Sequence, residues 1–160
     1  MVPNATFFVL AHNIRSLHNV GSIFRTSDVF AVSKLYLSGY TGHPPDPRLG
    51  KVALGAELTV PWEYNKSPVR IIKKLKTQYP DLLIVGLENN VPNTVSLQDF
   101  IPYGPVFLIL GEEVKGLPKN VRTLCNTFVE IPQFGMKESL NVSVAFGIAS
   151  YHIGTVIHKK

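Results

Sequence analysis

Apolar residues in this chain come in two spacings. Thr6–Leu10 (TFFVL), Lys34–Ser38 (KLYLS), Leu82–Leu87 (LLIVGL), Val106–Leu110 (VFLIL) and Thr127–Ile131 (TFVEI) are short runs rich in β-branched and aromatic residues, and each reads as a strand. Between them the spacing becomes helical. Asn19–Val32 places Val20, Ile23, Phe24 and Phe30 along one helix, Pro68–Gln78 places Val69, Ile72 and Leu75 along another, and Ser139–Ile157 predicts a long final helix. Arg48–Leu58 and Pro118–Cys125 read as shorter helices, the second with proline at its start, where no backbone N–H is needed. The segment GYTGHPPDP after the second strand can continue neither element. Strands that alternate with helices, several of them apolar on both faces, predict an α/β fold: a parallel sheet sandwiched by helices. No repeat or linker interrupts this order, so residues 1–160 read as a single domain. Ligands of such sheets sit beyond the carboxyl ends of the strands. The segments 11–25, 110–117 and 131–141 are therefore where chemistry is expected.

Composition narrows the class. With 45% hydrophobic and 17% charged residues, the 160-residue chain is not disordered. Its longest clean apolar run, VFLIL, is far short of the roughly 18–20 residues of a membrane span. The start, MVPNATFFVLAHN, lacks the basic and apolar regions of a secretory signal, and a cytoplasmic protein is expected. The single cysteine, Cys125, excludes an internal disulfide and any multi-cysteine zinc site, and reads as a small buried hydrophobe. The histidines at 12, 18, 43, 152 and 158 show no ligand spacing, and no metal is expected.

Charge changes the picture more. The net charge is +5, but residues 1–76 carry ten bases against four acids, +6 on their own. A half this basic suggests a polyanionic partner, nucleic acid first. For Arg70, Lys73, Lys74 and Lys76 a merely solvated helix face is the competing reading. No GxGxxG, GxxxxGK[ST] or GxSxG occurs, so any nucleotide-like cofactor is expected to lack phosphates.

Three segments carry candidate chemistry. HNVGSIFRTSD (18–28) puts Asn19 where a helix N-cap is expected, with Arg25 about two turns on; an ion pair between Arg25 and Asp28 is its bland alternative. LILGEEVKGLP (108–118) ends a buried strand at Gly111, follows at once with two carboxylates, and allows a second turn at Gly116. IPQFGMKESLNVS (131–143) leads into the last helix through Ser139 and Asn141.

In this order, NVGSIFRTSD, LGEEVKGL and IP…ESLNVSVA resemble the three motifs of the SpoU–TrmH family of the SPOUT superfamily, the RNA 2′-O-ribose methyltransferases, over about residues 7–157. The resemblance implies a parallel α/β sheet with a C-terminal deep trefoil knot, an exception to ordinary topology that no periodicity predicts. It implies S-adenosyl-L-methionine as cofactor. Backbone around Leu110, Gly111, Gly116, Ile131, Met136 and Leu140 would hold it. It assigns catalytic positions to Arg25, Asn19, Glu113, Ser139 and Asn141. Arginine does not readily deprotonate a hydroxyl, because its own pKa is above about 12. Arg25 is better cast as a clamp on the adjacent phosphate that stabilises the developing alkoxide. Asn19 is expected to orient Arg25 or contact RNA, and Glu113 to fix the second motif's loop or pair with Arg25.

The resemblance further implies a homodimer through the first and last helices. The last helix carries small residues at Ser143, Gly147, Ser150 and Gly154, one stripe that allows close backbone approach, within the chain or between copies. RNA is the expected partner, with Arg15, Arg48 and Lys51 as the foremost phosphate contacts and Arg70, Lys73 and Lys74 behind them. No appended RNA-binding domain is expected, and tRNA is favoured over rRNA. Three other classes are weighed: a non-catalytic RNA-binding protein on the same fold, a flavodoxin-like protein, and a base-carbon methyltransferase. The last would need a cysteine nucleophile, and Cys125 lies outside the motifs.

Overall fold

The computed structural model describes residues 6–159. Strands Phe7–His12 (β1), Lys34–Ser38 (β2), Trp62–Asn65 (β3), Leu83–Leu87 (β4), Thr94–Ser96 (β5), Val106–Leu110 (β6) and Thr127–Glu130 (β7) form one sheet in the order β3-β2-β1-β6-β4-β7-β5. Every pairing is parallel. The helices are Leu17–Val29 (α1), Pro47–Ala53 (α2), Ala56–Thr59 (α3), Pro68–Gln78 (α4), Lys119–Arg122 (α5) and Val142–His158 (α6).

The pleat divides the core in two. Phe7, Val9 and Ala11 of β1 point into one layer with Val20, Ile23 and Phe24 of α1 and Phe146, Ala149 and Ile153 of α6. The intervening Phe8 and Leu10 point the other way, against Ile71, Ile72 and Leu75 of α4 and Val121 of α5. Continuous apolar strands are thus explained by helices on both faces. At Gly21 a Cβ would stand 2.7 Å from the Leu49 carbonyl oxygen, so glycine is what lets α1 lie directly on α2.

Several boundaries differ from the sequence pattern, each for a local reason. The cap of α1 is Ser16, whose Oγ accepts the Asn19 N–H at 3.2 Å; Asn19 is inside the first turn and its side chain is free for other work. The expected helix over 48–58 is two, because Leu54 (φ 53°) and Gly55 (φ 90°) take left-handed conformations between them. The helix expected over 118–125 is regular only from Lys119 to Arg122, after Pro118. The last helix starts at Val142 rather than Ser139, because Asn141 caps it by accepting the Ser143 N–H at 2.9 Å. Strands β3 and β5 were not expected: they are short, half-exposed edges without an apolar run.

The topology fixes where a ligand would lie. From β1 the chain builds outward to β2 and β3, then crosses to β4 on the other side, and β6 later fills the gap between β1 and β4. Strand order reverses at β1 and β6, and a crevice opens beyond their carboxyl ends.

Candidate active site

Beyond β6 the chain folds back on itself. Glu112 accepts the Gly116 N–H at 2.8 Å and forms an isolated antiparallel bridge with it. A Cβ on Gly111 would stand 2.8 Å from the Gly116 carbonyl carbon, so only glycine lets the returning loop pack against the strand end. Glu88, the first residue after β4, accepts the Leu117 N–H and holds the loop's far end. Burial pushes the Glu88 carboxyl above its ordinary 4.5, against the opposing pull of that N–H and of Arg122.

This loop walls a cavity of about 490 Å³. Leu87, Leu110, Ile131, Leu140 and Val142 give it apolar surface, and Glu88, Asn89, Glu113, Glu138 and Ser139 give it polar groups. A second cavity adjoins it, between the turn after β1 and the same loop; Arg15, Asn19 and Tyr40 line it, and Glu112, Glu113, Val114 and Val142 border both.

One hydrogen-bond chain ties the three sequence segments together at this junction. Asn19 donates from Nδ2 to Glu113 Oε1 at 3.2 Å, and its Oδ1 accepts from Asn141 Nδ2 at 3.2 Å. Glu113 Oε1 also accepts the Val142 N–H at 3.4 Å, so one carboxylate oxygen binds α1 and the start of α6 together. Asn141 Oδ1 meanwhile accepts from Ser143 Oγ at 2.6 Å. At the end of β1, buried His12 shares a 2.8 Å hydrogen bond between Nδ1 and Ser38 Oγ. Burial lowers its pKa, and Glu112 only partly offsets this.

The structure gathers most of the expected site residues but not all. Leu110, Gly111, Gly116, Ile131, Leu140, Ser139 and Glu113 line the larger cavity. Arg15 and Asn19 line the smaller. Asn141 joins them through Asn19. Met136 is 99% exposed, outside the three cavities. Arg25 also lines none of them: it lies about 240° around α1 from Asn19, on the solvent side. Its bland partner is absent too, for no Arg25–Asp28 pair forms among the described residues and Asp28 accepts from Thr59 Oγ1 instead. Arg48 is exposed but bound to Asp46 through Nη2 at 2.9 Å, and Lys74 faces Glu63 at 3.5 Å. Lys51 is exposed on α2. Glu88 was missed, although the rule that pointed to the ends of β1, β6 and β7 applies equally to β4.

Cys125, next to Glu88 in charge influence, is half-buried, and burial pushes its thiol up to about 12.

A wholly parallel α/β sheet with a loop-walled cavity at its switch point defines the class of open α/β proteins, whose ligands sit beyond the carboxyl ends of the strands. Within that class the chain belongs to the SpoU rRNA Methylase family, whose model matches residues 6–151. It is similar to the 23S rRNA (guanosine-2′-O-)-methyltransferase RlmB of Pseudomonas putida, with 31% identity over 84% of this chain and 52% of that protein. It is 29% identical to the tRNA (guanosine(18)-2′-O)-methyltransferase of Aquifex aeolicus, over 89% of this chain and 66% of that one. The SpoU methyltransferase AviRb of Streptomyces viridochromogenes, solved with AdoMet, superposes with a TM-score of 0.89 at 25% identity, over 99% of this chain and 63% of that one. The chain thus spans about half the length of the rRNA enzymes it matches. Among the described residues no helix is long and apolar enough to cross a membrane.

Proposed function

We propose that this protein transfers a methyl group from S-adenosyl-L-methionine to a ribose 2′-hydroxyl of RNA, in the cytoplasm, with tRNA favoured over rRNA. The observation that carries the reading is the hydrogen-bond chain Glu113–Asn19–Asn141 beside the cavity, which brings three distant segments to one point. The cavity suits the cofactor. Its volume of about 490 Å³ falls within the range of small-molecule sites. Apolar Leu110, Ile131 and Leu140 would take the adenosine, and the backbone beside Gly111 and Gly116 offers close polar groups. Glu88, Glu113 and Glu138 would favour a sulfonium. No glycine-rich phosphate loop is present or needed. When bound, this cofactor supplies a methyl group on positively charged sulfur and leaves as a neutral thioether. Walls that exclude water favour that loss of charge.

The chain's own residues divide the remaining work. Glu113, Asn19 and Asn141 fix the loop, α1 and α6 relative to one another, so the reacting groups meet in one geometry. Ser139 stands on the cavity wall. Arg25 clamps a substrate phosphate and stabilises the developing alkoxide. Because Arg25 faces away from the cavity of its own chain, this role calls for a second copy that presents its α1 to the site. Exposed Val29 on α1 and Val144, Ile148 and Tyr151 on α6 offer that homodimer an apolar face. The C-terminal segment that carries Ile131–Asn141 is proposed to thread as the family's deep trefoil knot.

The tRNA preference is the reading of the sequence; among the relatives, the Pseudomonas rRNA enzyme is 31% and the Aquifex tRNA enzyme 29% identical. Both RNA classes are named among relatives, so both are assayed. Radiolabelled S-adenosyl-L-methionine is supplied with separated tRNA and rRNA from cells lacking this protein, and the RNA is hydrolysed in alkali. A 2′-O-methyl group blocks cleavage at its own linkage. Label in alkali-resistant dinucleotides from tRNA is the expected result. The same label from rRNA would move the target, and label only in mononucleotides would mean base methylation. No transfer with cofactor binding intact would favour the second reading, a non-catalytic RNA-binding protein.

A further inference from the structure

Beside the smaller cavity, on edge strand β3 and the loop after β2, lies a group of aromatic rings that the proposed chemistry does not use. Tyr64 donates from its hydroxyl to the Gly39 carbonyl at 2.6 Å, which sets its ring against the turn after β2. His43 lies 4.8 Å from Tyr64 and stacks on Trp62 at 5.7 Å and 26°. Trp62 packs edge-on against Phe24 of α1, so the group is anchored to the core. Tyr40 is held by its N–H to Asn13 Oδ1 at 3.1 Å, and the Arg15 guanidinium lies 5.7 Å over its ring. Anchored rings at a strand end would gain by burial, yet Tyr40 is 49% and Tyr64 37% exposed, and His43 is exposed as well.

Charge selects the occupant. Arg15 borders Tyr40, and exposed Lys66, whose carbonyl accepts the Gly39 N–H at 3.2 Å, borders Tyr64. Asp46 in the neighbouring loop is already taken by Arg48. Glu112 reaches the Tyr40 hydroxyl from the loop that walls both cavities, and Arg15 offsets its charge there. Rigid rings flanked by cations match unpaired nucleobases joined by phosphates, because every base has a π-face and every linkage a negative charge.

We propose that Tyr40, His43 and Tyr64 form a stacking platform for an unpaired nucleobase, with Arg15 and Lys66 on the adjoining phosphates. The proposal rests on the RNA-methylating reading and narrows its substrate to a single-stranded segment whose bases are splayed out. Since Arg15 and Tyr40 also line the cavity that holds Asn19 and Glu113, the stacked base would neighbour the target ribose.

The sole tryptophan, Trp62, reports directly on this surface. Its fluorescence is titrated with a short oligouridylate and with an abasic ribose-phosphate oligomer of equal length. The oligouridylate is expected to quench it and to bind about ten-fold more tightly than the abasic strand, as one stacked base implies. Tyr64→Leu and His43→Ala should remove that preference, Tyr64→Phe should keep it, and all should bind S-adenosyl-L-methionine as the wild type does by calorimetry. Equal binding of the two oligomers, or variants that keep the preference, would overturn the platform. Quenching by an apolar peptide but not by oligouridylate would make the patch a protein contact and overturn it too. Failure of the wild type to bind S-adenosyl-L-methionine, with base-dependent quenching intact, would strike the catalytic reading and leave the platform standing.

Discussion

Asn141 donates from Nδ2 to Asn19 Oδ1 at 3.2 Å across 122 positions of sequence. The two amides do different local jobs. Asn141 caps α6 with its oxygen, and Asn19 bonds Glu113 with its nitrogen. Each therefore presents to the other the one polar group its own task leaves over. The pair makes the start of α6 dependent on the start of α1, and Glu113 bridges both. A network of this kind fails as a unit.

That dependence gives the first prediction. Asn141→Ala removes a cap, at about 1 kcal/mol, and also the link to Asn19. Asn19→Ala leaves a carboxylate and an amide short of partners, at about 1–3 kcal/mol. The double variant should cost less than the two single ones together, with a coupling of at least about 0.5 kcal/mol. Urea unfolding of the four proteins measures it. Additive losses would mean that the two side chains act separately.

Arg25 is the expected catalytic residue that the fold leaves outside its own cavity. Arg25→Ala should bind S-adenosyl-L-methionine with unchanged affinity by calorimetry while losing most methyl transfer to RNA. A mixture of Arg25→Ala with a variant disabled at Gly111 should regain activity, since a mixed dimer would hold one intact composite site. Near-normal turnover by Arg25→Ala alone would remove it from the mechanism.

Glu88 yields a pH dependence. Its carboxyl is raised above 4.5 by burial, so the folded chain binds more protons than the unfolded one across that window. The contribution to stability is fullest below pH 4.5 and is lost as pH rises through the folded value. Glu88→Gln cannot ionise and should gain on the wild type over that interval. Urea midpoints taken across the acid range should therefore converge at the low end and separate above it. Parallel curves would show that Glu88 titrates normally.

The layered α/β fold was legible because both-face burial writes itself as unbroken apolar runs, as in VFLIL. The edges were not: WEYN of β3 is half-exposed and has no run to see. The three site segments could be found because each follows a strand end. Their convergence could not, since nothing in the sequence ties Asn19 to Asn141. Asn19 itself was misread as a cap, because Ser16 three positions earlier is an equally good one and only the start of α1 decides between them. The small-residue stripe of α6 proved to be two features. A Cβ on Gly154 would stand 3.8 Å from Phe30 of the same chain, while one on Gly147 would meet open space.

Gly147 then offers a test of assembly that its own chain cannot confound. A Cβ there meets nothing within 4 Å, and its neighbours Val144, Ile148 and Tyr151 are exposed apolar residues on the same helix. Within a single copy, Gly147→Leu costs no contact and gains up to about 1 kcal/mol of helix propensity. Against a second copy packed on α6, the added side chain must collide with a backbone that glycine had let approach. The variant should therefore unfold at an equal or higher urea concentration when dilute, yet dissociate at least ten-fold more readily in sedimentation equilibrium. Methyl transfer should fall with the dimer, because the role proposed for Arg25 requires a partner's cavity. An unaffected dimer would place the interface on another face.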